Sequence, residues 1–255
     1  EIIVSCGKVL SDHGYKIKIF NLSNMGHSNT YNPFNYIRDE AGVLMVIDCL
    51  IKNTTGKNEK GDQFFTNSEK LLYSACIFYL IDFETDESRK NFSSVMDMIN
   101  MSQVDENNPS SKSELDLMFE QIDQTSLAAK YYKAFKQAAG KTLKSIIISC
   151  VVRLQSFMTP QVTRLTGSDN INLASIGDEK TILFIITPQA DRTFAFLASM
   201  LYSQLFETLY HKGKTQKLKT GSERLTYHVR CLMDEFANIG EIPEFPSKLS
   251  TMRKY

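Results

Sequence analysis

Two carboxylates at the end of an apolar run are the residues of this chain best placed to do chemistry. In 229-VRCLMDEFANIGEIP-243 a strand-like stretch runs into Asp234 and Glu235 and then into a loop. A hard cation such as Mg²⁺ needs oxygen ligands, and a carboxylate beside a nucleotide's phosphates supplies one directly or through water. An adjacent glutamate orients or deprotonates an attacking water, a role worth roughly 10²–10⁴-fold in rate. Parallel sheets bind ligands at the carboxyl ends of their strands, which is where these acids would stand. The same residues also suit a strand that simply ends in two solvated carboxylates.

A phosphate cradle is the natural complement, and two triplets invite the search: Gly140-Lys141-Thr142 and Gly213-Lys214-Thr215. A phosphate-binding loop needs G-x-x-x-x-G-K-[ST] between a strand and a helix, so that its backbone N–H groups wrap the phosphates. The position of the first glycine is Phe135 in one case and Thr208 in the other. Apolar residues from Ala128 through Phe157 recur at helical spacing straight through the first triplet, which places Gly140 in or between helices. The second follows a helix with no strand before it. Neither triplet reads as a cradle, so the chain is not expected to bind or hydrolyse ATP by itself.

The 255 residues suffice for one large domain or two modest ones. Lys+Arg and Asp+Glu are both 29, so net charge draws the chain toward neither nucleic acid nor membrane, though a local basic face stays open. The five cysteines are scattered without a C-x-x-C pair and only four His are present, which argues against zinc and for free thiols in a reducing compartment. Neither a membrane-spanning run nor a signal peptide is visible. The opening EIIVSCGKVL lacks a starting Met, and the chain reads as a piece of something longer.

The elements that must carry the acids follow from periodicity. Residues 1–14 suit a short helix stopped by Gly14, and 15-YKIKIFNL-22 alternates like a strand. The loop 23-SNMGHSNTYNPFNY-36 follows. From about Asp39 to Met158, helical segments at 41–53, 64–83, 92–101, 113–122 and 127–158 alternate with polar breaks and predict a bundle of about five to seven helices. Then 180-KTILFIITP-188 reads as a buried central strand. A long helix over 190–213 carries Phe194, Leu197, Leu201, Leu205 and Leu209 on one stripe and ends at Gly213. A basic loop over 214–227 leads to a second buried strand, 228-HVRCLMDEF-236. The expected architecture is α/β with an all-α insertion: residues 1–38 and 161–255 build a parallel-sheet domain, and 39–160 the inserted bundle.

The longer string MDEFANIGEIPEF, followed by STMRK, resembles the Walker B region of type IV secretion coupling proteins, the TraG/TraD-type conjugation ATPases. The segment 31-YNPFNYI-37 is similar to the loop that precedes their inserted helical domain, and 186-ITPQADRTFAFLASMLYSQLF-206 to a strand and helix before Walker B. Glu1-Ile2 would continue a D-P-K-G-E strand end. The resemblance covers most of the chain and is most specific over residues 232–253.

That resemblance implies a partial RecA-like domain from a membrane-anchored, hexameric motor on the cytoplasmic side of a bacterial membrane. ATP and Mg²⁺ would be its cofactors. Relaxase, relaxosome accessory proteins, single-stranded DNA and secretion-channel proteins would be its partners, with the all-α domain receiving substrate. Asp234 would be the Mg²⁺ carboxylate and Glu235 the catalytic one. Thr187 and Gln189 would lie near the phosphates, and Arg253 would reach a neighbouring subunit's nucleotide. The P-loop, the membrane anchor and the later sheet strands have no counterpart in the sequence. A helical protein-binding module and a different RecA-type DNA translocase are the alternatives, the large insertion weighing against the latter.

Other features read more plainly. The basic run 212-KGKTQKLK-219 suits a solvated surface turn better than a phosphate-backbone track. Phe64, Phe65, Tyr73, Phe78 and Tyr79 suit a core, as does the Met-rich 96-MDMINM-101. The acidic stretches 82-DFETDE-87 and 105-DENN-108 favour a protein-docking surface over a DNA clamp in the bundle.

Overall fold

The computed structural model describes residues 2–55, 63–102, 111–139, 142–188, 192–234, 236 and 239–252. In chain order these form α1 (Ile2–Asp12), β1 (Lys16–Asn21), α2 (Glu40–Thr54), α3 (Gln63–Asp82), α4 (Phe92–Asn100), α5 (Glu114–Glu120), α6 (Leu127–Ala139), α7 (Leu143–Leu154), α8 (Pro160–Thr166), β2 (Thr181–Ile186), α9 (Ala195–Thr220) and α10 (Phe245–Met252). The described residues are mostly helical with one two-stranded parallel sheet, an α/β fold rich in helix. The chain divides into two compact units, one of residues 1–36 and 168–255, the other of residues 37–167.

In the first unit, α1 ends as its sequence requires. Gly14 takes φ 79°, the left-handed conformation that glycine adopts without a Cβ penalty, and Tyr15 N–H bonds back to Leu10 O at 3.1 Å. The chain then enters β1, which pairs in parallel with β2 in the register Lys16 to Thr181 through Asn21 to Ile186. Two strands more than 150 residues apart in sequence thus share one sheet, as the two separate apolar runs predict.

The loop after β1 is held by aromatic and amide contacts. Tyr31 is fully buried, edge-on to Phe20 at 5.6 Å and stacked on Tyr36 at 5.9 Å. Its hydroxyl donates to Gln204 Oε1, and Gln204 Nε2 donates to Pro33 O at 2.8 Å, which ties the loop to α9. Tyr31→Phe removes the hydroxyl that donates to the buried amide oxygen of Gln204. A loss of about 1–3 kcal/mol is expected, read as a lower denaturant midpoint at unchanged slope.

Helix α9 departs from expectation. It starts at Ala195 and runs to Thr220, past Gly213, which is buried inside it. Lys214, Gln216, Lys217, Leu218 and Lys219 are good helix formers, and their summed preference outweighs the roughly 1 kcal/mol that one interior glycine costs. The stop is Gly221, at φ 76°, whose N–H bonds to Lys217 O at 2.8 Å. The basic run expected as a loop is therefore a helix end. Nor is it an open cationic strip, since Lys217 pairs with Glu223 at 2.8 Å and Lys212 with Asp178.

A second correction concerns residues 228–236. They were expected as a buried strand, yet the described residues of this segment are not in a strand, and Leu232 is 85% exposed. A strand exists only where a neighbouring backbone pairs with it. Tyr227 N–H reaches Gly177 O at 2.9 Å, but no backbone bond joins the described residues 228–234 to β2.

The second unit is helical throughout its described residues, with seven helices where about five to seven were expected. Helices α3 and α6 lie along one another. The apolar stretch 127–158 is not one helix: it forms α6, α7 and a short 3₁₀ turn over Gln155–Met158. Tyr73 and Phe78 are buried, as are Met96 and Met98, while Phe64 is 43% exposed. Glu69 on α3 is buried and accepts from Arg153 Nε of α7 at 3.0 Å and from the Ser149 hydroxyl. Arg153 Nη1 donates to Thr54 and Thr55 hydroxyls at 2.8 and 3.0 Å, so the same guanidinium closes the end of α2.

Helix α5 starts in a capping box. Ser113 Oγ accepts from Asp116 N–H at 3.1 Å, and Asp116 Oδ2 accepts from Ser113 N–H at 2.9 Å. Asp116 also takes the Tyr132 hydroxyl at 2.8 Å and Lys136 at 2.9 Å. Burial alone opposes its ionisation, but Lys136, the Ser113 N–H and hydroxyl and Tyr132 outweigh it and bring the carboxyl to about 2. A folded-state value below the unfolded one stabilises above the unfolded value and stops doing so as pH falls through the folded one. Unit stability is therefore expected to drop between about pH 4 and pH 2, and Asp116→Asn to flatten that part of the acid titration followed by circular dichroism.

Candidate functional site

Asp234 lies in an exposed turn at the end of the extended segment that follows Tyr227. Described residues further along are anchored. Ile239 and Ile242 are buried, and Phe236 packs on Phe245 at 4.8 Å between ring centres. Ser199 of α9 donates its hydroxyl to Glu241 O at 2.6 Å, and Tyr210 of α9 donates to Lys248 O at 2.6 Å. Lys248 in turn pairs with Glu207 at 3.1 Å. Helix α9 thus holds the described residues after Asp234 through Ser199, Glu207 and Tyr210.

Thr187 follows the last residue of β2, at the carboxyl end of the sheet. Glu235, Gln189 and Arg253 lie outside the described residues. Of the sequence-selected residues, then, Thr187 stands at a strand's carboxyl end and Asp234 at the end of a segment without strand pairing. The contacts that hold the region, from Ser199, Tyr210 and Lys248, were not singled out in the sequence. Ordinary residue types reaching partners about 40 positions away leave no local signal.

Both glycine–lysine–threonine triplets can be judged at their threonines. In a phosphate loop that hydroxyl faces Mg²⁺. Thr142 instead donates to Ala139 O at 2.6 Å, closing the end of α6, and Thr215 donates to His211 O at 2.9 Å inside α9. Gly140 and Lys141 lie outside the described residues. The described residues also gather no group of three His, Cys, Asp or Glu that would hold a metal. An exposed carboxylate such as Asp234 fits a magnesium ion where a nucleotide's phosphates supply the other oxygens.

Beside this segment lies a cleft of about 320 Å³, entirely within the first unit. One wall is Thr181, Ile182, Leu183 and Ile185 of β2, and the opposite wall is residues 227–232. Lys180 closes one end, its ammonium 5.9 Å from the centre of the Tyr15 ring.

The fold and this geometry define an α/β protein whose sheet is split in sequence by a helical unit. The family model for type IV secretory system conjugative DNA transfer matches residues 1–255, and the chain belongs to that family. No curated protein matches it significantly. Among the described residues no helix is long and apolar enough to cross a membrane.

Proposed function

We propose that this chain is part of a coupling ATPase of conjugative DNA transfer, a RecA-like motor in which residues 39–160 form an inserted docking domain. The observation that carries this reading is the family match along the whole chain, joined to the string MDEFANIGEIPEF at its most specific point. The parallel pairing of β1 with β2 on either side of the helical unit supports it.

On this reading Asp234 holds Mg²⁺ jointly with the phosphates of ATP and Glu235 handles the attacking water. Thr187 and Gln189 approach the phosphates from the end of β2, and Arg253 serves a neighbouring subunit's site in a hexamer. The cradle itself comes from a segment other than residues 1–255. The helical unit receives relaxase and accessory proteins, and the assembled motor passes single-stranded DNA to a channel at the cytoplasmic side of the membrane. The acidic residues Asp82, Glu84, Asp86 and Glu87 favour protein over DNA as the direct contact of that unit.

A titration tests the assignment. The 255-residue chain is expected to show no micromolar Mg-ATP affinity by calorimetry, because the amides and lysine that supply most phosphate binding are absent from it. Micromolar binding would overturn the view that the cradle lies elsewhere.

A further inference from the structure

Charge in the helical unit is sorted along the chain. Residues 82–123 carry eleven Asp or Glu against three Lys or Arg, while residues 124–167 carry seven Lys or Arg and no Asp or Glu. Part of this charge is neutralised within the fold, as where Lys136 bonds Asp116 at 2.9 Å. Other members lie at the surface: Asp82, Asp86, Glu114 and Asp123 are exposed, and so are Lys130, Lys133 and Lys144. A chain of zero net charge thus carries acidic and basic surface on one unit.

Each surface also exposes apolar side chains at helical spacing. Helix α7 buries Ile146, Cys150 and Leu154 completely, one turn apart from each other. Lys144, Ile148 and Val152 repeat that spacing on the opposite side of the helix, with Ile148 53% and Val152 57% exposed. The outer stripe of a surface helix ordinarily carries polar side chains. On α5, Leu115 and Phe119 are buried, and Leu117 is 47% exposed. Leu117 stands between Glu114 one turn before it and Glu120 one turn after it, the latter bonded to Lys112 at 2.7 Å. One stripe is apolar with a cation at its end, and the other is apolar between carboxylates.

We infer that the helical units of neighbouring copies of this chain meet head to tail, the α7 stripe of one copy lying along the α5 face of the next. Leu117 packs against Ile148 and Val152, and Glu114 faces Lys144. A second copy is the occupant because the complement of each surface, in charge and in apolar character, is present on the same chain. The two surfaces differ, so the contact is heterologous, and every added copy leaves one surface of each kind open. Two short helices bury less than the roughly 1,200 Å² of total surface that stable complexes need. The contact is therefore weak and salt-sensitive, and it acts where copies are already held close. It lies within the helical unit and requires no nucleotide, so it fails separately from the motor reading.

Sedimentation of the 255-residue chain from low to high micromolar concentration tests it. The expected result is an average mass that rises without a plateau at the dimer and falls toward the monomer in about 1 M salt, where charges are screened beyond about 3 Å. Lys144→Glu and Glu114→Lys are each expected to weaken association by roughly three- to fivefold, and Ile148→Ser with Val152→Ser to abolish it, at melting temperatures that show the fold intact. An equal mixture of the Lys144→Glu and Glu114→Lys chains, in which the two charges have changed places, is expected to regain wild-type association, a rescue that damaged folding cannot produce. A monomer at every concentration, a plateau at the dimer, association indifferent to these substitutions, or a mixture no better than its parts overturns the inference. So does binding of a single-stranded oligonucleotide that Lys144→Glu abolishes, which would give the basic stripe to nucleic acid.

Discussion

Glu235→Gln in the complete transfer protein is expected to lower ATP turnover by about 10²–10⁴-fold and to bring DNA transfer in a mating assay down with it. Glutamine keeps the volume and removes the carboxylate that would handle the attacking water, so nucleotide binding should persist. Asp234→Asn should behave differently: on the proposed reading it would remove an oxygen ligand from Mg²⁺ and weaken Mg²⁺-dependent nucleotide binding itself. The melting temperature of each variant is measured beside its transfer activity. A large loss of transfer at an unchanged melting temperature is thus the signature of chemistry. Wild-type turnover and transfer in both variants would leave the two acids without a role in the chemistry and remove the motor reading's centre.

Glu69→Ala is expected to be the most destabilising single change in the helical unit. The glutamate is 1% exposed at its side chain and its partner Arg153 is 13% exposed. Truncation takes the carboxylate from a largely buried guanidinium, and breaks of buried pairs cost about 3–5 kcal/mol. The loss spreads, because the same guanidinium bonds Thr54 and Thr55 at the end of α2. The double variant Glu69→Leu with Arg153→Met removes both charges and should recover most of the stability, since apolar replacements of a buried pair are often near neutral. Chemical denaturation of the wild type, Glu69→Leu, Arg153→Met and the double variant decides it. Additive losses in the double variant would mean that the two residues act separately.

Legibility followed the range of the interactions involved. Helix α1 with its glycine stop, β1, β2 and the succession of helices over 40–166 were readable from periodicity and turn residues, because each depends on contacts a few positions apart. Gly213 was misread as a stop because a glycine inside a helix and one beyond it differ only in what surrounds them. Residues 228–233 were misread as a strand because composition records a preference for pairing and not the presence of a partner. The tethers from Ser199, Tyr210 and Lys248 had no local signal at all.

Taken alone, the amino-acid order established the α/β class, the alternation of sheet-forming and helical regions, and the family-specific string around Asp234 and Glu235. Those properties live in short windows where side-chain pattern and backbone preference act together. Only the three-dimensional arrangement decided that β1 and β2 are neighbours, that α9 holds the segment after the acids, and that β2 lines a cleft of about 320 Å³. Each of these is a meeting of distant residues, and hydrogen bonds and packing become definite only once both partners are in place.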